Sequence, residues 1–222
     1  EVDLGENRLI VQSLLTPSRR PRFGSAMRPR IALVEAIANR GTINEGRIRQ
    51  SPWWKSVESV LTEADDDELE AVRSVIDPMD DLTFRFGAWH GDFTPWNIMS
   101  TRNVGQVIDW EFAADGVPVG FDVCHYHTQV ASELRGLPTP DAIAHSARMS
   151  PHDLDRLGLD PDTQSNIWYL YLVELVRRTL ALRAAGMPTD DVGQGAAAVD
   201  RLLRRPSASA VRSLPSNVSR GA

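Results

Sequence analysis

The sequence predicts a mostly helical α+β domain with one or two short hairpins. Three observations predict it. Apolar residues recur with helical spacing along most of the chain, and the stretch 162–185 is apolar on nearly every face, as a central buried helix would be. Residues 97–109 carry a strand–turn–strand pattern. The composition, 42% hydrophobic and 24% charged over 222 residues, is that of a chain able to bury a sizeable core.

The elements follow in order. Residues 7–15 read as a strand centred on Leu9-Ile10-Val11, and 16–30 as a basic, proline-containing connector. Residues 30–39 have helical periodicity stopped by Gly41; 52–61 and 66–76 are two further helices. The acidic run from Asp65 to Glu68 suits a solvated helix start better than a metal site. A short strand is expected at 82–88. In the hairpin, Ile98-Met99 leads into a turn at Thr101-Arg102-Asn103 and a second strand at 104–108. Helices are expected at 121–134 and 162–185, 138–150 is a helix or two turns, and 189–205 closes the fold. Residues 206–222, rich in Ser, Arg and Pro, read as a disordered tail.

Charge and composition exclude several functions. The net charge of −6, from 30 acidic and 24 basic residues, makes a non-specific nucleic-acid binder a poor reading. No apolar run is long enough to span a bilayer, so no membrane partner is expected. A single cysteine, Cys124, rules out an intrachain disulfide and a multi-thiolate zinc site, and it fits a reducing, cytoplasmic compartment. Lys55 is the only lysine, so any mechanism that needs one has a single candidate, in a helix-like Trp-Trp-Lys-Ser context.

The segment that carries chemistry is WHGDFTPWNIMSTRNVGQVIDWEFA, residues 89–113. It presents His90, Asp92, Asn97 and Asp109. A loop carboxylate, a carboxamide five residues later and a second carboxylate after a hairpin form a phosphoryl-transfer layout. The first Asp can accept a proton from a hydroxyl. The Asn and the second Asp offer hard oxygens to Mg²⁺. The hairpin is what returns Asp109 to the side of Asn97.

His90-Gly91-Asp92-x-x-x-x-Asn97 followed by Ile108-Asp109-Trp110-Glu111 resembles the aminoglycoside phosphotransferase and choline kinase family, whose fold is similar to that of protein kinases. The resemblance implies the large, C-terminal lobe of a protein-kinase-like fold with a short catalytic-loop hairpin. It implies transfer of the γ-phosphoryl group of ATP (or GTP) to a small-molecule hydroxyl, aminoglycoside-, choline- or sugar-like, with Mg²⁺. By position, Asp92 is expected as catalytic base, Asn97 and Asp109 as metal ligands, and His90 as a brace of the loop. Glu111 would touch the metal shell or the substrate. Asp122 would buttress the loop, although one extra residue separates it from Pro118 compared with the family's G-x-P-x-x-D segment.

The family's small lobe, with its glycine-rich hairpin and strand lysine, has no counterpart before residue 83. Residues 1–16 are therefore expected to be the last small-lobe strand and hinge, with Gln12, Ser13 and Leu14 near the adenine. Residues 17–205 would be the helical catalytic lobe. The missing Met at residue 1 agrees with a chain that begins inside a longer product. A rival reading is a catalytically incompetent lobe acting as a ligand-binding or interaction module; a metal-dependent hydrolase is a weaker third.

Other patterns have bland readings. Gly193-x-Gly195-x-x-Ala198 matches a dinucleotide fingerprint but lacks its preceding strand. Asp122, Cys124, His125 and His127 suggest a metal cluster, yet helix packing and local hydrogen bonds explain them more simply. Trp168, Tyr169 and Tyr171 resemble a cation cage but suit a core helix. Trp53 and Trp54 suit packing, and His145 and His152 suit the surface near helix ends.

Overall fold

The computed structural model describes residues 2–4, 7–9, 28–41, 43–101, 104–187 and 193–204. Helices dominate, with small antiparallel sheets between them. Strand β1 (Val2–Leu4) pairs antiparallel with β2 (Asn7–Leu9), the start of the strand expected at 7–15. The expected hinge residues Gln12, Ser13 and Leu14 and the tail 206–222 lie outside the described residues.

Helix α1 (Ile31–Ala38) buries Ile31, Val34, Ile37 and Ala38, one face at helical spacing. Helix α2 (Pro52–Glu58) starts with Pro52, and the Ser51 side chain accepts the Trp54 amide. Helix α3 (Asp66–Ile76) carries a full capping box: Asp65 accepts from the Glu68 amide, and Glu68 accepts from the Asp65 amide. The acidic run is thus a helix start, as its sequence suggests.

Besides β1, two more strands escape the sequence reading. Strand β3 (Asn44–Arg47) and β7 (Ala114–Pro118) flank β4 (Thr83–Trp89) in an antiparallel sheet of order β3-β4-β7. Neither Asn-Glu-Gly-Arg nor Ala-Asp-Gly-Val-Pro alternates in hydrophobicity, and both contain poor strand formers. They are strands because β4 supplies an apolar partner. α1 crosses β4 so closely that a Cβ on Gly87 would lie 2.6 Å from the Ala38 carbonyl oxygen. The β4–β7 register shifts between Gly87 and Trp89, a bulge at the last step before the segment that carries the two motifs.

The expected hairpin forms from β5 (Ile98–Thr101) and β6 (Val104–Val107), with Ile98 opposite Val107. Helix α4 (Phe121–Gln129) ends in a π-turn at Val130–Leu134, which accounts for the long helix expected at 121–134. Helix α5 (Thr139–Asp155) outlasts its expected end at 150. Pro151 removes one amide donor, but the buried Asp153 and Leu154 hold the last turn in place. His145 therefore lies in mid-helix, and only His152 is near an end.

Helix α6 (Pro161–Ala184) is capped by Asp160, which accepts from the Asp162 and Thr163 amides. It is the central helix, with Ile167, Leu170, Tyr171, Leu172, Val173, Leu175 and Val176 all buried. Trp168 is buried too, which gives these aromatics to the core rather than to a cage. Helix α7 (Gly193–Leu203) packs against α6, with Gly195 fitted against Thr179. No strand precedes α7 among the described residues, so the glycine pattern is a close-packed helix start.

Under the motif segment the core is aromatic. Phe121 touches Trp53, Trp89 and Tyr171 edge-on, at ring-centroid distances of 5.4, 5.7 and 6.0 Å. No described helix is long and apolar enough to cross a membrane.

Candidate active site

The motif segment leaves β4 at Trp89 and turns over a floor made by α4 and α6. Gly91 makes the turn with φ +82°, a conformation that favours glycine. A Cβ there would also collide with the Phe112 carbonyl oxygen. No side chain other than hydrogen fits between Asp92 and His90.

Each α4 contribution comes from one face. Gly120, with φ +117°, lets the chain swing from β7 into the helix. This left-handed residue absorbs the extra position between Pro118 and Asp122. Asp122 sits in the first turn, 3% exposed, and its carboxylate accepts the His90 amide (2.9 Å) and the Gly91 amide (3.2 Å). Burial pushes its pKa up to about 6, against the pull of those two amides. One turn later, His125 donates from Nε2 to Asp92 Oδ1 at 3.0 Å, and its Nδ1 lies 3.1 Å from the Tyr171 hydroxyl.

Helix α6 adds a second polar stripe at spacings of three and seven residues: Tyr171, Glu174 and Arg178. Arg178 donates to the Gly91 carbonyl (2.6 Å) and to Glu174 (2.9 Å), and its guanidinium stacks on Trp89 and Phe112. Glu174 is fully buried and accepts from Trp53, Arg177 and Arg178. Burial opposes its charge, but the two arginines outweigh it and hold its pKa below the ordinary range. The Gly91 peptide is therefore clamped at both ends, by Asp122 on its N–H and Arg178 on its C=O.

His90 links the loop to the hairpin. Its Nε2 donates to the Ile108 carbonyl (2.9 Å), and its Nδ1 accepts the Asp92 amide (3.2 Å). These bonds fix one neutral tautomer, and burial lowers its pKa further. The Ile108 amide in turn donates to the Asn97 carbonyl at 3.0 Å. Ile108, which immediately precedes Asp109, is thereby tied to both His90 and Asn97. Trp110 packs on the His90 ring at 4.7 Å and bonds the Val107 carbonyl.

Asn97, 6% exposed, donates from Nδ2 to the Asp92 carbonyl (3.0 Å) and to Asp92 Oδ2 (2.8 Å). Both amide hydrogens face Asp92, which leaves the carboxamide oxygen as an acceptor. Asp109 is exposed and adopts φ +67°, a left-handed conformation that Asp tolerates better than most residues. Asp92 holds its charge well: the His125 hydrogen bond lowers its pKa most, and Asn97 lowers it further.

The structure thus brings Asp92, Asn97, His90, Asp122 and the backbone before Asp109 into one hydrogen-bonded unit. Glu111 lies exposed in the following turn and takes no part in that unit among the described residues. Lys55 is exposed on α2.

Residues 40–127 match the phosphotransferase enzyme family. The match bears out the resemblance drawn from the two motifs and covers every proposed site residue from His90 to Asp122. No curated protein matches the chain.

The phosphotransferase-type segment also uses residues that the motifs do not name. His125 bonds Asp92 and Tyr171, and no group of three or more His, Cys, Asp or Glu suited to a metal occurs among the described residues. His127 turns the other way, to the buried Asp153 at 2.9 Å. Tyr171, Glu174 and Arg178 are equally outside the motifs. Their signal in the sequence is two charges and a phenol, at spacings that share a face, on the helix that buries most of the core. Trp96, 36% exposed between Asp92 and Asn97, is a further aromatic at the site.

Proposed function

We propose that this chain carries the large lobe of a Mg²⁺-dependent phosphotransferase that moves the γ-phosphoryl group of ATP (or GTP) to a hydroxyl of a small molecule. Residues 1–16 would then be the last small-lobe strand and hinge, and 17–205 the helical lobe. One observation supports the reading above all. Asp92, the candidate base, shares its carboxylate with the carboxamide of Asn97, and Asn97 is tied through Ile108 to the residue before Asp109.

Asp92 would receive the acceptor hydroxyl. It is ionised, 27% exposed at its side chain, and anchored at each oxygen by a separate donor, so unused lone pairs face solvent. As the hydroxyl oxygen bonds to the γ-phosphorus and the bond to the nucleotide diphosphate breaks, the hydroxyl proton passes to Asp92. His90 would act only as a brace: its two ring nitrogens are occupied.

The donor set fits magnesium. The Asn97 carboxamide oxygen and the Asp109 carboxylate are hard oxygens, and Mg²⁺ commonly takes one or two protein oxygens with water and substrate phosphates completing the shell. When bound, the ion would neutralise charge on the phosphates. Glu111, exposed two residues beyond Asp109, would be a residue of the outer shell or of the acceptor site.

The test is transfer of labelled γ-phosphate from Mg-ATP to a panel of amino-sugars, choline-like alcohols and simple sugars. Asp92→Asn should lower kcat by about 10²–10⁴-fold, the usual share of a general base. Asp109→Asn should raise the Mg²⁺ concentration needed for half-maximal rate. Turnover that survives Asp92→Asn undiminished would sink the assignment.

A further inference from the structure

We propose that His125 is a positioning residue for Asp92, held in its Nε2–H tautomer by the Tyr171 hydroxyl so that it fixes the orientation of the carboxylate that receives the substrate proton. This rests on the reading of Asp92 as the base. It adds to that reading a three-residue chain, Tyr171–His125–Asp92, that joins the core of α6 to the reacting group through α4.

Hydrogen-bond bookkeeping selects the tautomer. Asp92 is ionised and can only accept, so the His125 nitrogen at 3.0 Å from Oδ1 must carry a hydrogen. His125 is 2% exposed, and burial lowers its pKa, so the ring is neutral and its Nδ1 is a bare acceptor. Tyr171, fully buried, supplies a donor that suits it: a hydroxyl 3.1 Å from Nδ1 that can turn its hydrogen toward the ring and accept from Thr128. Burial also raises the Tyr171 pKa, which keeps the phenol a donor.

The orientation needs this support. A carboxylate on a loop can rotate about its last torsion, and Asn97 alone bonds only Oδ2. A second donor on Oδ1 removes that freedom. It comes from a different element than Asn97 does, so the carboxylate plane is set by two independent anchors. The donor's ring cannot slide, because its far side is bonded to Tyr171 and lies edge-on to that ring at 6.2 Å.

The helical spacing shows why the arrangement is economical. Asp122 and His125 stand three residues apart on α4, so the helix that fixes the loop's backbone amides also fixes the base's side chain. His127, two residues further on, points to Asp153 and has no part in the site.

The experiment uses the whole chain. Nitrogen-detected imidazole NMR of the unsubstituted protein should show His125 neutral, protonated at Nε2, with a hydrogen-bonded Nδ1. The side-chain amide of Asn97, bonded to Asp92 Oδ2, is the second reporter. His125→Leu should broaden or shift that amide signal. His125→Gln, whose Nε2 can occupy the position of the imidazole Nε2, should restore it.

In turnover assays, His125→Leu should lower kcat about 10–100-fold with KM for Mg-ATP changed less than about threefold, since misorientation of a reacting group costs rate rather than binding. His125→Gln should recover most of the loss, and Tyr171→Phe, which frees the tautomer, should fall between the two. An Nδ1-protonated His125, an Asn97 signal indifferent to His125→Leu, or a Gln variant as impaired as the Leu variant would overturn the proposal. If the Leu variant does not fold, the imidazole spectrum and the Gln and Tyr171→Phe variants decide it. Failure of the complete enzyme, with this lobe joined to a small lobe, to transfer phosphate, with the predicted spectra intact, overturns the catalytic role and the proposed function together. Altered spectra in an active enzyme overturn the positioning alone.

Discussion

Replacing Asp122 by Asn keeps the size of the side chain and removes its ability to ionise. The carboxylate lies fully buried and its pKa stands at about 6 in the folded protein, against an ordinary value of 3.8. The sign follows from the direction of the shift. A raised carboxyl pKa means that the folded state binds the proton more tightly than the unfolded chain does. The stabilisation is complete below the unfolded pKa and is lost as pH rises through about 6. The full span of 2.2 units, 6 minus 3.8, corresponds to about 3 kcal/mol at 1.36 kcal/mol per unit. Between pH 4.5 and 7.5, the accessible part of that span, about 2 kcal/mol should disappear.

Other groups titrate in the same range, among them the buried His90, His125 and His127, whose lowered pKa values act in the opposite sense. The useful quantity is therefore a difference. Urea unfolding of the parent and of Asp122→Asn is measured at each pH, and the variant's stability is subtracted. The variant starts at a disadvantage of about 1–3 kcal/mol near pH 4.5, because its amide nitrogen replaces one acceptor opposite the His90 and Gly91 amides. That disadvantage should shrink by about 2 kcal/mol toward pH 7 and then level off. A flat difference curve would mean that Asp122 ionises at no cost and that burial does not govern it. A curve that rises with pH would show the two amides to be the stronger influence.

Gly91→Ala should cost about 2–4 kcal/mol, from the left-handed backbone and the collision with the Phe112 carbonyl, and calorimetry should show a Tm lower by roughly 5–15 °C. Arg178→Met removes the donor to the Gly91 carbonyl, so it should lower kcat as well as stability; Arg177→Met, which bonds only Glu174, should destabilise the fold with far less effect on kcat. Asp65→Ala breaks the capping box of α3 remote from the site and should lower stability by about 1 kcal/mol in thermal unfolding.

The motifs made the candidate groups legible because the chemistry they would perform restricts both residue type and spacing. Asp92, Asn97 and Asp109 cannot be moved along the chain without losing the hairpin that joins them. The helices were legible for a different reason: α3 begins at its capping box and α6 carries a long apolar run from Ile167 to Val173. Strands β3 and β7 were not, since their sequences carry no alternation and their pairing is decided by β4. The supporting residues were hidden in the same way. His125 and Arg178 meet the loop only once α4 and α6 are packed, and no local pattern records that contact. The histidine pair at 125 and 127 looked like one feature; the helix splits it into a site residue and a core residue.

The charges of the site and their support are distributed unevenly, and the unevenness has a mechanical consequence. Asp109 and Glu111 are exposed, while Asp122 and Glu174 are buried and bonded to fixed donors. An exposed carboxylate keeps its hydration until a ligand replaces it, so Asp109 can exchange water for a cation at little cost. A buried one cannot shed its donors without leaving a charge unpaired, which costs several kcal/mol. The buried pair therefore acts as fixed framework and the exposed pair as the adaptable surface. Asp92 stands between them: one side is tied to the framework through His125, and the other is open. On the proposed reading of Asp92 as the base, a variable acceptor met in a constant orientation calls for that combination, because a rigid base buried on all sides would exclude the acceptor and a free one would lose alignment.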